Sequence, residues 1–249
     1  MPYSIGLAGK GGTGKTTIAG LLVRYLVEKG KVPVLAVDSD ANANLNEVLG
    51  LEVRETLGDA REEMKTGVSA GMTKDVFMEM KLEQSVVEAE GFDLIVMGRP
   101  EGPGCYCAAN TLLTQYLDRL INNYAYVVID NEAGMEHISR LTTNNIDLLL
   151  VVSDTTRRGI HSAARIFELA DELGLNIAQK TVIINQVKEG QTDQVKKMVE
   201  GFGLPLGGII PDDVLIQDFD LKGRPTIQLD PGSRALQAAF DIFEKITKS

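Results

Sequence analysis

Nine residues near the start of the chain, GKGGTGKTT from Gly9 to Thr17, bring four glycines, two lysines and three threonines into one short stretch. Glycine lets consecutive backbone N–H groups curl around a cluster of anionic oxygens, and lysine adds full positive charge. Gly9, followed by Gly14, Lys15 and the hydroxyl of Thr16, has the spacing of a phosphate-binding loop. The expected nucleotide contacts are therefore Gly9, Gly11, Gly12, Thr13, Gly14, Lys15, Thr16 and Thr17. Lys15 is placed to reach the β- and γ-phosphates and Thr16 to offer its hydroxyl to Mg²⁺. Lys10 is a second cation, early in the loop. It reads either as a solvated surface lysine or as a charge able to meet the negative charge that develops in hydrolysis.

Other chemistry-bearing residues stand where apolar runs end. Asp38 and Asp40 close one run in VDSDANANL (37–45), and Asp130 closes another in VVIDNEAG (127–134). Asp38 and Asp40 also suit a helix N-cap. Asn185 ends VIINQV, and Pro211 lies in IIPDD (209–213). An amide offers a donor and an acceptor side by side, which suits the N6 and N7 edge of adenine, though Asn at a strand end is also a common turn residue. The chain's two cysteines, Cys105 and Cys107, lie one residue apart in GPGCYCAA. Residues at i and i+2 are poorly placed for an unstrained disulfide, and two thiolates are too few for a closed tetrahedral metal site. Two chains about a twofold axis would present four. Inert thiols and a redox pair are the alternatives. His137, His161, Arg157 and Arg158 are weaker candidates.

Seven apolar runs are placed to carry these groups: 3–8, 33–38, 92–97, 124–130, 147–153, 180–185 and 206–211. Continuous apolar runs predict strands buried on both faces, hence a mostly parallel sheet. Apolar residues recur three or four apart over 16–28, 110–121, 159–173 and 192–202, predicting helices above and below it. The terminal SRALQAAFDIFEKITK sets Leu236, Ala239, Phe240, Phe243 and Ile246 on one face, for packing against the sheet. Residues 52–91 are rich in acids without a strand pattern and read as a helical insertion, with a docking surface for another protein as an alternative use. The expected fold is α/β: a mostly parallel central sheet with helices on both faces, in one domain over 1–249.

A net charge of −10 and a pI near 4.8 disfavour binding to nucleic acid or to an anionic membrane surface, both of which need a basic face. The start of the chain lacks the pattern of a secretory signal, and no apolar stretch reaches the length of a membrane span. A cytoplasmic location is expected, and a reducing compartment disfavours a structural disulfide.

GKGGTGKTT resembles the deviant Walker A of the SIMIBI-type P-loop NTPases that include the septum-site and plasmid-partition ATPases and the nitrogenase iron protein. The resemblance implies an ATPase using ATP, ADP and Mg²⁺. It further implies a homodimer in which Lys10 crosses to the partner's phosphates. On the same pattern Asp40 orients the attacking water, Asp38 lies near hydrated Mg²⁺ and Asp130 holds a water on it. Ala133 and Gly134 follow the γ-phosphate, Asn185 meets adenine and Pro211 flanks it. DNEAGMEH lacks the cysteine that follows this stretch in the nitrogenase iron protein. GCYCAANTLL with DNEAGMEHISR instead resembles the CooC-type nickel-insertion ATPases. That implies Ni²⁺ or Zn²⁺ shared by Cys105 and Cys107 between subunits, and delivery to carbon monoxide dehydrogenase or acetyl-CoA synthase as client. The alternatives are a partition- or septum-type switch without metal delivery and an iron–sulfur redox ATPase on the same thiols.

Overall fold

In a computed structural model, residues 1–40, 44–66, 72–98, 117–131 and 145–247 are described. Among them the sheet has eight strands: β1 (Tyr3–Ala8), β2 (Val34–Asp38), β3 (Val87–Glu88), β4 (Phe92–Val96), β5 (Tyr126–Asp130), β6 (Asn145–Ser153), β7 (Asn176–Val187) and β8 (Leu206–Pro211). They lie in the order β3-β4-β2-β5-β1-β6-β7-β8. Every pairing is parallel except that of β3 with β4.

The apolar runs form strands because both faces are covered. In β6, Leu148, Leu150 and Val152 enter one core while Leu149 and Val151 enter the other. In β2, Val34 and Ala36 face one way and Leu35 and Val37 the other. The first face carries α1 (Lys15–Glu28) and α8 (Arg234–Ile246). Their Leu22, Leu26, Leu236 and Phe243 share one core with Ile5 and Leu7 of β1. Tyr25 meets Phe240 and Phe243 edge-on, with ring centroids 5.3 and 5.6 Å apart. The opposite face carries α5 (Arg157–Glu172) and α6 (Thr192–Gly201) beside β6 and β7, and α3 (Leu57–Thr66) and α4 (Lys74–Ser85) beside β2 and β4.

The structure departs from the sequence expectations at several elements. β7 begins four residues early and pairs with the start of β6; of residues 176–179 only Ile177 packs against the core, so the apolar signal there is weak. Within 52–91, α3 and α4 are followed by the two-residue β3. Two short helices, α2 (Leu45–Leu49) and α7 (Val214–Leu221), were not anticipated. In α7 the apolar residues do not form one stripe: Ile216 and Phe219 face the core while Val214 and Leu221 are exposed. The helix expected over 110–121 is described only over 117–121. No helix among the described residues is long and apolar enough to cross a membrane.

Candidate functional site

β1 lies at the point where the chain's direction across the sheet reverses: β2 is reached on one side of it and β6 on the other. Ligands in open α/β sheets bind outside the strand C-termini at such a point. The 9–17 loop leaves β1 there. Its first residue, Gly9, has φ 150°, and a Cβ would stand 2.2 Å from the Val152 carbonyl oxygen, so a side chain is excluded by the neighbouring strand. Gly14 has φ 86° and forms the N-cap of α1, leaving the first amides of that helix free for an anion.

The loop is braced on one carbonyl. The Thr13 hydroxyl (2.8 Å) and the Lys15 ammonium (3.3 Å) both donate to Lys10 O. Lys15 is thereby buried across the loop, whereas the Lys10 side chain is exposed. This arrangement holds one cation inside the phosphate cradle and presents the other outward.

Parallel register places Asp38 directly opposite Asp130, and Asp130 opposite Leu7 of β1. Both carboxylates are buried. Asp38 accepts N–H bonds from Asp40 (3.0 Å) and Leu45 (2.9 Å), one on each oxygen. Burial pushes its carboxyl above the usual range, and those amides offset part of the rise. Asp38 thus organises the turn into α2. Asp40 is half-buried above it. Burial pushes Asp130 up to about 7, against a hydrogen bond from Thr16 and the charge of Lys15; the neighbouring Asp38 adds to the rise. Asp130 Oδ1 is buried with no hydrogen-bond partner, as is the Ser39 hydroxyl. A buried carboxylate oxygen without a partner, next to a threonine hydroxyl at a phosphate cradle, fits a hydrated Mg²⁺: hard oxygen donors, few of them from protein. Thr16 and Asp130 are the residues placed to hold it, with Asp38 one strand away.

On the other side of the loop, a cleft of 480 Å³ is lined by Gly14, Thr17, Asp154 to Thr156, Asn185, Gln186, Lys188 and Pro211 to Asp213, among others. Asn185 and Pro211 therefore share this cleft. The Asn185 amide nitrogen donates to Thr13 O at 2.9 Å. Gln186, Asp154 and Thr156 were missed as cleft residues; an S/T-rich turn before a helix (SDTT, 153–156) and a polar pair interrupting VIINQV were the available signals. Thr156 caps α5 by accepting from Gly159 N. Arg157 lies over the Phe202 ring and His161 stacks near the same ring, so both pack at the α5–α6 contact. Cys105, Cys107, Ala133, Gly134 and His137 lie outside the described residues, and among the described ones no three or more His, Cys, Asp or Glu side chains gather into a group that could hold a metal ion.

The model of the CobQ/CobB/MinD/ParA nucleotide binding domain matches residues 5–227. The chain belongs to this family. An uncharacterized ATP-binding protein of Methanocaldococcus jannaschii is 42% identical over 247 residues, covering 97% of each chain. The carbon monoxide dehydrogenase accessory protein CooC of Rhodospirillum rubrum is 34% identical over 264 residues, covering 95% of each. Among solved structures, the septum site-determining protein MinD of Pyrococcus horikoshii complexed with Mg-ADP superposes with a TM-score of 0.73 at 26% identity, over 100% of this chain and 97% of that one. As a MinD/ParA-family P-loop protein, the chain is an ATPase.

Proposed function

We propose that this ATPase is a metallochaperone: a homodimer that holds nickel or zinc as cargo on Cys105 and Cys107 of two chains and releases it as ATP is hydrolysed. One backbone contact carries the reading. Met97 N, where the chain leaves β4 toward the cysteines, donates to Asp38 O at 2.8 Å, while the Asp38 carboxylate accepts from the amides of Asp40 and Leu45. In this reading, a nucleotide-dependent change at Asp38 reaches the chain that leaves β4 toward the cysteines. The 34% identity to CooC along nearly the whole chain supports the same reading.

In this reading Lys15 and the amides of Gly11 to Gly14 bind the phosphates, and Thr17 and the 185–213 cleft hold the nucleoside. Asp40 orients the attacking water, and Lys10 reaches the partner's nucleotide. Mg²⁺, when bound by Thr16 and through water by Asp130, neutralises charge on the β- and γ-phosphates. Thiolates suit nickel and zinc alike, and the client is a nickel enzyme of the carbon monoxide dehydrogenase or acetyl-CoA synthase kind.

The test is an anaerobic titration with Ni²⁺ and Zn²⁺ in nucleotide-free, ADP and ATP states, with dimer fraction recorded and Cys105→Ala/Cys107→Ala as control. About one ion per dimer, lost in the control and altered by nucleotide, is expected. ATP-driven dimerisation without metal uptake in any state would replace the proposal with a partition- or septum-type switch. Broad visible absorption from protein purified without oxygen would replace it with an iron–sulfur redox ATPase.

A further inference from the structure

The ends of β2, β5 and β1, adjacent in the sheet, carry Asp38, Asp130 and the phosphate loop. One residue past each aspartate stands a small polar side chain: Ser39, 2% exposed, and Asn131, 1% exposed. Their backbones continue the parallel pairing. Ser39 N donates to Asp130 O at 2.9 Å, and Asn131 N donates to Leu7 O at 3.3 Å. The Asn131 side chain reinforces that tie, its amide nitrogen donating to Leu7 O at 2.8 Å and to Ile129 O at 3.3 Å. Both amide hydrogens are thereby used, and turning the amide over would set its oxygen against two carbonyls. Asn131 Oδ1 is left as a buried acceptor without a partner, and the Ser39 hydroxyl as a buried donor without one. Buried polar groups are nearly always bonded, and leaving one unpaired is costly. Here an unspent donor and an unspent acceptor occupy neighbouring positions on strands about 4.8 Å apart.

We propose that Ser39 and Asn131 are a pair of positioning residues: the Ser39 hydroxyl donates to Asn131 Oδ1 when Mg-ATP is bound, and so fixes the Asp38 and Asp130 strand ends against the start of the phosphate loop. Neither side chain touches the nucleotide. They act through the aspartates that precede them and, for Asn131, through the last turn of backbone before Gly9. A small movement of the turn after Asp38 is enough to join the two groups. Because the bond is made in one state and not in the other, it favours the nucleotide-bound arrangement by the whole of its own worth. The proposal rests on the family's nucleotide binding and not on the metal cargo, so either can fail without the other.

The experiment compares the full chain with Ser39→Ala, Asn131→Ala and the double variant, measuring thermal melting without nucleotide and the dissociation constant for Mg-ATP. Ser39→Ala removes a hydroxyl that has no partner without nucleotide, so its melting temperature should equal or exceed the parent's. The same variant should bind Mg-ATP about fivefold more weakly. A residue that merely supports the fold would not move the two readouts in opposite directions. Asn131→Ala also loses the tie to Leu7 and should melt lower; the double variant should bind Mg-ATP within about twofold of Asn131→Ala alone, since the bond is already gone. A lower melting temperature for Ser39→Ala overturns the proposal, because the hydroxyl is then already bonded without nucleotide. Unchanged Mg-ATP affinity in Ser39→Ala overturns it too, as do losses that multiply in the double variant. Should Asn131→Ala fail to fold, the two Ser39→Ala readouts decide by themselves.

Discussion

The Asp130 carboxyl is the most strained electrostatic element of the site: it is buried, opposite Asp38, and short of one hydrogen-bond partner. Its folded value near 7 lies above the value of about 4 expected when unfolded. Between those limits the folded chain keeps a proton that the unfolded chain gives up, so stability falls as pH rises from about 4 to about 7. Asp130→Asn removes that loss. In urea unfolding without nucleotide or Mg²⁺, the variant should exceed the parent by about 2 to 4 kcal/mol near pH 8 and match it near pH 4. Parallel pH profiles for the two proteins would show that Asp130 is not the responsible group. The phosphate loop was legible at this scale because its glycines and lysines are a local pattern. The part of Asp38 in accepting the Asp40 and Leu45 amides was not, since it depends on backbone geometry that residue spacing does not encode.

At the scale of elements, one carboxylate ties two helices together beside the cleft. Asp213 caps α7 by accepting from Leu215 N, and its other oxygen accepts from Ser233 Oγ (2.7 Å) and Ala235 N (3.0 Å) at the start of α8. Burial raises its carboxyl, but the bonds from Ala235, Ser233 and Leu215 together bring it below the usual value. Its contribution is therefore present above about pH 4 and lost as pH falls through the lowered value. Asp213→Ala is expected to cost about 1 to 2 kcal/mol at neutral pH and to weaken ATP binding, because α7 forms one wall of the cleft. Thermal melts at neutral and acidic pH check the first part; equal melting temperatures of parent and variant at neutral pH would refute it. Sequence showed the strands and long helices because their apolar spacing reflects two-sided burial. It concealed α7, whose apolar residues are divided between the core (Ile216, Phe219) and solvent (Val214, Leu221), and the start of β7, where only Ile177 packs against the core.

For the whole molecule, the proposed dimer gives different work to two lysines that look equivalent in GKGGTGKTT, the exposed Lys10 and the buried Lys15. Lys10→Ala is expected to keep ATP affinity within a few-fold while abolishing ATP-dependent dimerisation in sedimentation velocity. A variant that still dimerises fully with ATP would refute the outward role of Lys10 and leave it a solvated side chain. The family and fold were readable along the entire length of the chain. The proposed cargo rests on a resemblance, because a C-x-C pair constrains ligand type and number but not the ion.

The borders of the sheet limit how such a molecule can associate. On one border the two-residue β3 runs antiparallel to its neighbour; on the other, β8 holds Gly207 and Gly208 and ends on Pro211, which has no N–H to give. Neither border offers a long template for another backbone to zip onto. Fibre-like growth by strand addition is therefore disfavoured at both borders of the described sheet.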